Sequence, residues 1–309
     1  MTLPAAYTDY PLRKRAMDHD RYPYRVMPRA APVTWPGGAR VALWVAVHAG
    51  WFPMDMPLKP FIAPGGMERP YPSYWDFTQR DYGNRIGIYR LMKSMAARGV
   101  KGTALLSAAL AREYPVLMDD IAAAGWEPAC AGLDMGHLHH AEVPEAEERA
   151  TVTEAAALLR GRFGDAVTGW HSPAHSESAV TADLVAGAGF TWTSGWANDD
   201  MPYAFATNAG ELTAMPLPQD LSDQRMLMQQ NMATEDFTAA ILAAHATLDA
   251  EARATGGGRV LTVAVTPWLM GQPHRIRAFG AMLDAILARG GVWSATGAEI
   301  AASWRAQQA

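Results

Sequence analysis

Arg40-Val41-Ala42-Leu43-Trp44-Val45-Ala46-Val47 is an unbroken apolar run that follows the Gly37-Gly38 turn and ends at His48-Ala49-Gly50-Trp51. A run without polar alternation reads as a strand buried on both faces, the habit of parallel sheets covered by helices. His48 then stands at the strand's C-terminal end, where barrels of parallel strands carry their chemistry.

Outward from this strand, strands and helices alternate. Residues 85–98 put Ile86, Ile88, Leu91, Met92 and Met95 on one helical face, with Gly99 as C-cap. Residues 103–106 read as a second strand, 109–124 as a helix stopped by Gly125, and 126–131 as a third strand. A helix at 145–163 leaves through Gly164-Asp165, and a short strand follows at 167–170. A helix at 181–188 takes Thr181 as N-cap, and Phe190 to Trp192 begin another strand. Further strands are expected near Ala214-Met215 and at 259–265, with a helix at 234–254 between them. A helix at 275–289, a short strand at Val292-Trp293 and a helix at 296–305 complete the pattern. Gly256-Gly257-Gly258 is a turn rather than a phosphate loop, because a strand and not a helix follows it. The pattern predicts an α/β fold of βα units in a single domain over 39–309. Residues 1–38, rich in Pro, Tyr and Arg, read as an irregular arm lying across the body or onto a neighbouring subunit.

Composition narrows the partners. The chain has 309 residues, half of them hydrophobic, and a net charge of −5 with no long basic run. That argues against nucleic acid or an anionic membrane and for a small-molecule substrate. Cys130 is the only cysteine, which excludes an intrachain disulfide and a thiolate zinc cluster. No signal-peptide pattern opens the sequence and no apolar run reaches membrane-spanning length, so a cytoplasmic protein is expected.

The densest chemistry lies in Ala131-Gly132-Leu133-Asp134-Met135-Gly136-His137-Leu138-His139-His140, where three of the nine histidines fall within four residues. Histidine titrates nearest neutral pH and is the commonest metal ligand. The stretch can therefore support proton transfer or metal binding, or some of these histidines simply face solvent.

Several segments in register carry a family resemblance: Arg80-Asp81-Tyr82-Gly83-Asn84-Arg85-Ile86-Gly87, Gly132 to His140, and Gly169-Trp170-His171-Ser172-Pro173. Asn198-Asp199-Asp200-Met201-Pro202-Tyr203 and Pro267-Trp268-Leu269-Met270-Gly271-Gln272-Pro273-His274-Arg275 extend it. On these the chain resembles the polysaccharide deacetylase (NodB homology) family, in its cytoplasmic allantoinase-like and cyclic-imide-hydrolase-like branch. The resemblance implies a distorted (β/α)7 barrel with its site at the strands' C-terminal ends, and hydrolysis of an amide-type C–N bond. It also implies a divalent metal held by an acid after the first strand and a His-x-x-x-His pair. Here those positions carry Gly50, Leu133 and His137, and Thr266 replaces a late histidine. A zinc site usually needs three protein ligands, so no tightly bound cofactor is expected. Zinc or another divalent ion rebuilt on His48, Asp134 and His137 stays open at this point.

His137 is the first candidate for acid–base work, with His48 or Asp134 orienting it and His171 donating to the oxyanion. Candidate substrate contacts are Trp51, Arg85, His139, Trp170, Ser172, His175, Trp196, Asp199, Asp200 and His274. Each has a plain structural alternative: core packing for the tryptophans, turn-shaping for Asp199 and Asp200, and helix capping for His274. Asp81 and Arg85 are spaced for a salt bridge at a helix entrance. The expected function is a hydrolase acting on a small, cyclic amide, imide or ureide without tightly bound metal. The alternatives are a catalytically silent metabolite binder and a metal-dependent deacetylase with an unusual ligand set. A homo-oligomer is expected because the arm has no core of its own to join.

Overall fold

β1 (Val41–Ala49) is the strand expected from the apolar run, and Val41 through Val47 are wholly buried. The computed structural model describes residues 19–56 and 72–308. Around β1 stand β2 (Gly102–Leu106), β3 (Glu127–Cys130), β4 (Gly169–Trp170), β5 (Trp192–Thr193), β6 (Tyr203–Thr207), β7 (Gly210–Ala214), β8 (Arg259–Val265) and β9 (Val292–Ser294). The sheet runs β6-β7-β5-β4-β3-β2-β1-β8, with β9 also on β1. From β7 to β8 the path is parallel throughout, which gives the seven parallel strands of a (β/α)7 barrel. Among the described residues no ladder joins β8 to the far end; an isolated bridge between Ser222 and Ala264 brings the segment around Ser222 against β8 instead. The barrel is distorted in this sense.

Two-residue periodicity sorts the side chains. Val41, Leu43, Val45 and Val47 face the helices and pack with Ile88, Leu91 and Phe279. Ala42, Trp44 and Ala46 face the interior with Leu105, Ala129 and Trp192. Trp44 and Trp192 meet edge to face at 5.8 Å, and the Trp44 indole donates to Thr103 Oγ1 at 2.9 Å. These rings fill the barrel low down. His48 has the same parity as Trp44 and opens onto the space above the plug.

Four expectations are corrected. The helix expected at 85–98 begins earlier, at Tyr74–Tyr82 capped by Ser73, continues through a π turn Gly83–Gly87 and ends as Ile88–Ala96. The helix expected at 109–124 is two pieces, Leu110–Glu113 and Pro115–Ala123, because Pro115 cannot extend the first. The strand expected at 214–215 is the end of β7, which pairs antiparallel with β6 in a hairpin that covers the sheet edge. Thr181 is the first residue of helix Thr181–Gly187 and not its cap; its hydroxyl goes to Glu148.

Residues 1–18 of the arm lie outside the described residues, but 19–38 do lie across the body. Arg21 is buried in an ion pair with Asp183 at 2.6 Å, and the buried Trp35 donates to the Arg259 carbonyl at 2.8 Å. This part of the arm joins the chain's own core, so its lack of a core no longer argues for an oligomer. Among the described residues no helix is long and apolar enough to cross a membrane.

The glycines of Arg80–Gly87 have a steric cause. The π turn lies against helix Pro267–Met270 so closely that a Cβ on Gly87 would stand 2.1 Å from the Pro267 carbonyl oxygen. Gly87→Ala should therefore cost about 1–3 kcal/mol in a urea unfolding titration. Gly161→Ala in the helix Glu145–Phe163, where a Cβ meets nothing within 4 Å, should instead gain roughly 0.5–1 kcal/mol.

Candidate active site

Above the tryptophan plug the strand ends surround a cavity of about 270 Å³. β1 contributes His48, the turn after β2 Ser107, the turn after β4 His171 and His175, and the residue after β8 Thr266; Asp223 comes from the segment docked on β8. Phe52, Arg80, Met135 and Trp268 are further parts of its wall.

Three imidazoles stand edge to face. His48 and His171 have ring centroids 4.9 Å apart, and His171 and His175 4.6 Å. His171 Nδ1 is 3.0 Å from Ser194 Oγ. Burial pushes His48 down to about 3, with His175 adding to the effect. Burial also holds His171 well below its ordinary value, helped by its two neighbours, and holds His175 lower. All three are therefore neutral hydrogen-bonding groups at pH 7.

His175 reaches the cluster through a strained turn. Ala174 and His175 both have positive φ, 54° and 55°, a conformation costly for any residue with a Cβ. Neighbouring bonds hold it: Ser172 Oγ donates to Glu177 Oε1 at 2.8 Å, and Ser176 Oγ donates to the His139 carbonyl at 2.5 Å. Behind this turn His139 is buried against Glu148 at 3.2 Å. Burial would raise the Glu148 carboxyl, but hydrogen bonds from His139, Ser178 and Thr181 outweigh it and keep the group low.

Asp223 is the carboxyl of the cavity. It is fully buried and accepts from the Thr266 amide at 2.7 Å and the Thr266 hydroxyl at 3.0 Å. Burial pushes it up to about 7 against those two bonds. Arg80, also buried, lies with its guanidinium carbon 4.6 Å from the Phe52 ring centre and 5.6 Å from that of Trp268.

The structure thus brings together His48, His171 and His175 from the expected set and leaves others elsewhere. His137 is half exposed on a loop outside the cavity, its Nδ1 2.8 Å from Asp134 Oδ1. Asp134 spends its carboxylate on His137 and the Gly136 amide. His139 is in the buried network with Glu148, and Ser172 bridges Trp170 and Glu177 behind the strained turn. Trp170 is core, Trp51 packs on Phe77 and Tyr114, and Trp196 donates to Glu177 at 2.8 Å. Asp199 caps the Met201 amide at 2.9 Å, while Asp200 and His274 are exposed away from the cavity. Arg85 is exposed and makes the expected salt bridge with Asp81 at 4.0 Å, and the largely buried Asp81 carboxylate also accepts from Tyr114; neither residue lines the cavity.

Asp223, Arg80, Ser107 and Thr266 were not among the sequence candidates for these roles. Ser222-Asp223 ahead of 224–229 is a helix-cap signature that signals an ordered turn: Ser222 Oγ accepts from the Arg225 amide at 3.1 Å. Nothing local in the sequence signals that this turn docks on β8.

No family model matches the chain, and no curated protein matches it. Solved structures do. PuuE allantoinase superposes with a TM-score of 0.82 at 23% identity, covering 92% of this chain and 98% of that one. A probable polysaccharide deacetylase from Pseudomonas aeruginosa PAO1 gives 0.81 at 23%, covering 93% and 99%. The fold is theirs. BA3943 from Bacillus anthracis, a CE4 family pseudoenzyme, gives 0.52 at 10% identity, covering 90% and 72%.

The divalent ion implied by the resemblance does not fit the residues present. At Gly50 a side chain would start 3.0 Å from the Phe52 ring; Leu133 is buried and apolar; Thr266 is committed to Asp223. His48, Asp134 and His137 do not converge, since only His48 reaches the cavity. Among the described residues no group of three or more His, Cys, Asp or Glu side chains is disposed to hold a metal.

The neutral histidines make stability pH-dependent. Each takes up a proton near pH 6.5 when unfolded but resists it when folded, so what they contribute is complete above that pH and is lost as the pH falls toward their depressed folded values. The slope is roughly 1.4 kcal/mol per pH unit for each such histidine. Asp223, raised to about 7, acts in the opposite sense over the same window, so the histidine contribution is read as a difference. In calorimetry from pH 7.5 to 5.5 the wild type should lose melting temperature relative to His48→Gln.

Proposed function

We propose that this chain is a cytoplasmic hydrolase of the polysaccharide deacetylase group that opens a small cyclic amide, imide or ureide. The observation that carries the reading is Asp223, a buried carboxyl raised to about 7 at the C-terminal ends of parallel strands, in a cavity with neutral imidazoles and a buried arginine. A proton-transfer group works best when its pKa lies near the working pH. The cavity's 270 Å³ lies below the ~300–1,000 Å³ usual for drug-sized ligands, which favours a single small ring over a polymer.

In this reading water adds to the ring carbonyl while the Asp223 carboxylate takes its proton. Arg80, which lines the cavity and is ion-paired with Asp76 at 3.7 Å, supplies positive charge for the oxyanion. The oxyanion collapses, the C–N bond breaks, and the proton on Asp223 passes to the leaving nitrogen. The product is one open chain bearing a carboxylic acid and a free nitrogen terminus. His171 and His175, neutral and held by the strained turn, supply hydrogen bonds without competing for the proton. Thr266 holds the carboxyl in place through both its amide and its hydroxyl. His137 and Asp134 take no part.

A second reading, a silent metabolite binder, is favoured by Gly50, Leu133 and Thr266 at the implied metal positions and by a pseudoenzyme on the same fold. Turnover of hydantoin, succinimide, allantoin and acetylated sugars separates the two. A ring amide should be opened, with kcat/KM rising as pH increases through about 7. Asp223→Asn should lower it at least about 10²-fold, and His137→Ala should leave it nearly unchanged. If no ring is opened and Asp223→Asn alters only ligand affinity, the binder reading wins.

A further inference from the structure

Ser107 and His48, polar side chains of the cavity, make no side-chain hydrogen bond among the described residues. Ser107 is 1% exposed and lines the cavity, and its Oγ has no hydrogen-bond partner among the described residues. Its backbone is fixed, since the Ser107 amide donates to the Ala49 carbonyl at 3.1 Å. The His48 ring meets His171 edge-on and makes no hydrogen bond among the described residues. β1 and β2 are paired in register, His48 opposite Leu105, and Ser107 is two residues beyond Leu105 with the same parity. The two groups are therefore diagonal neighbours on the inner face, Ser107 one pleat further toward the mouth of the barrel than His48, and both line the cavity.

Buried hydroxyls are nearly always satisfied, and an orphan one lowers stability unless something binds it. A serine hydroxyl can donate while a neutral imidazole offers one bare nitrogen as acceptor. A donor beside an acceptor matches a group that has acceptor and donor adjacent on one edge. A ring forces an amide to be cis, which puts its C=O and N–H on the same side; open-chain secondary amides are trans and point them apart.

We propose that Ser107 and His48 together bind the cis-amide edge of a ring substrate, Ser107 donating to the carbonyl and His48 accepting from the N–H. The proposal rests on the cavity being the ring-binding site argued above, and it narrows the substrate class to rings with an unsubstituted N–H beside the carbonyl. Lactones, N-alkylated imides and open-chain acetamides are excluded as good ligands. Ser107 is a buried hydroxyl kept for the ligand at the expense of stability.

The test is calorimetric binding of 2-pyrrolidinone and its isosteric lactone, γ-butyrolactone, to the full chain. The wild type should bind the lactam about tenfold more tightly or better, the effect of one hydrogen bond. Ser107→Ala should weaken both rings by a similar factor and leave the melting temperature unchanged or higher. His48→Phe, which keeps a flat ring but no acceptor, should abolish the lactam's advantage. Equal affinity for the two rings in the wild type, no binding of either ring, or a lower melting temperature in Ser107→Ala with affinity intact would each overturn the proposal. Ring-amide turnover without lactam preference removes this inference and leaves the hydrolase; lactam preference without turnover of any ring amide does the reverse.

Discussion

Burial of β1 on both faces is the constraint from which the remainder follows. A strand covered by helices on one side and by a tryptophan plug on the other tolerates no polar side chain along its length, because each would need a partner that neither layer supplies. Val41 to Val47 obey this, and the first polar residue, His48, comes where the sheet ends and the interior opens. β2 and β8 likewise lead to polar residues at the mouth, Ser107 and Thr266, while Thr103 and Thr262 within them are buried only because Trp44, Glu127 and the Pro216 carbonyl supply partners. The site is the place where the barrel's packing runs out.

Low polarity at that mouth then sets the protonation states. Imidazoles held 4.6–4.9 Å apart in a dry space cannot carry charge together, so all three stay neutral. The same dryness lifts Asp223 toward neutrality although two bonds from Thr266 oppose it. One environment thus disarms the bases and tunes the acid. The strained turn at Ala174 and His175 is held from behind by Ser172, Glu177 and the buried His139–Glu148 pair. Residues that read as chemistry in the sequence therefore serve as its scaffold.

The sequence displayed the fold because the signals for it are local. The apolar runs at 41–47 and 259–265, the helix at 145–163 and the glycines that follow most helices state their own conformation. The antiparallel hairpin β6–β7 was not visible, since its exposed strand lacks a continuous apolar run and reads as loop. At the site, His48 and His171 were legible because each directly follows or ends a strand. His137 was the natural choice by density of histidines, yet its loop carries it outward to Asp134.

By itself the sequence determined most of the strands and helices and their order, the β6–β7 hairpin excepted, and that polar residues stand at the ends of the parallel strands. It also determined that a glycine, a leucine and a threonine stand where the resemblance implies metal ligands. The tertiary structure decided which polar groups share a cavity: it docked Asp223 on Thr266 across more than forty intervening residues and left His137 outside. The physical reason is that strand and helix formation depend on neighbours in the chain, whereas a carboxyl's company and its pKa depend on which distant segments exclude water together.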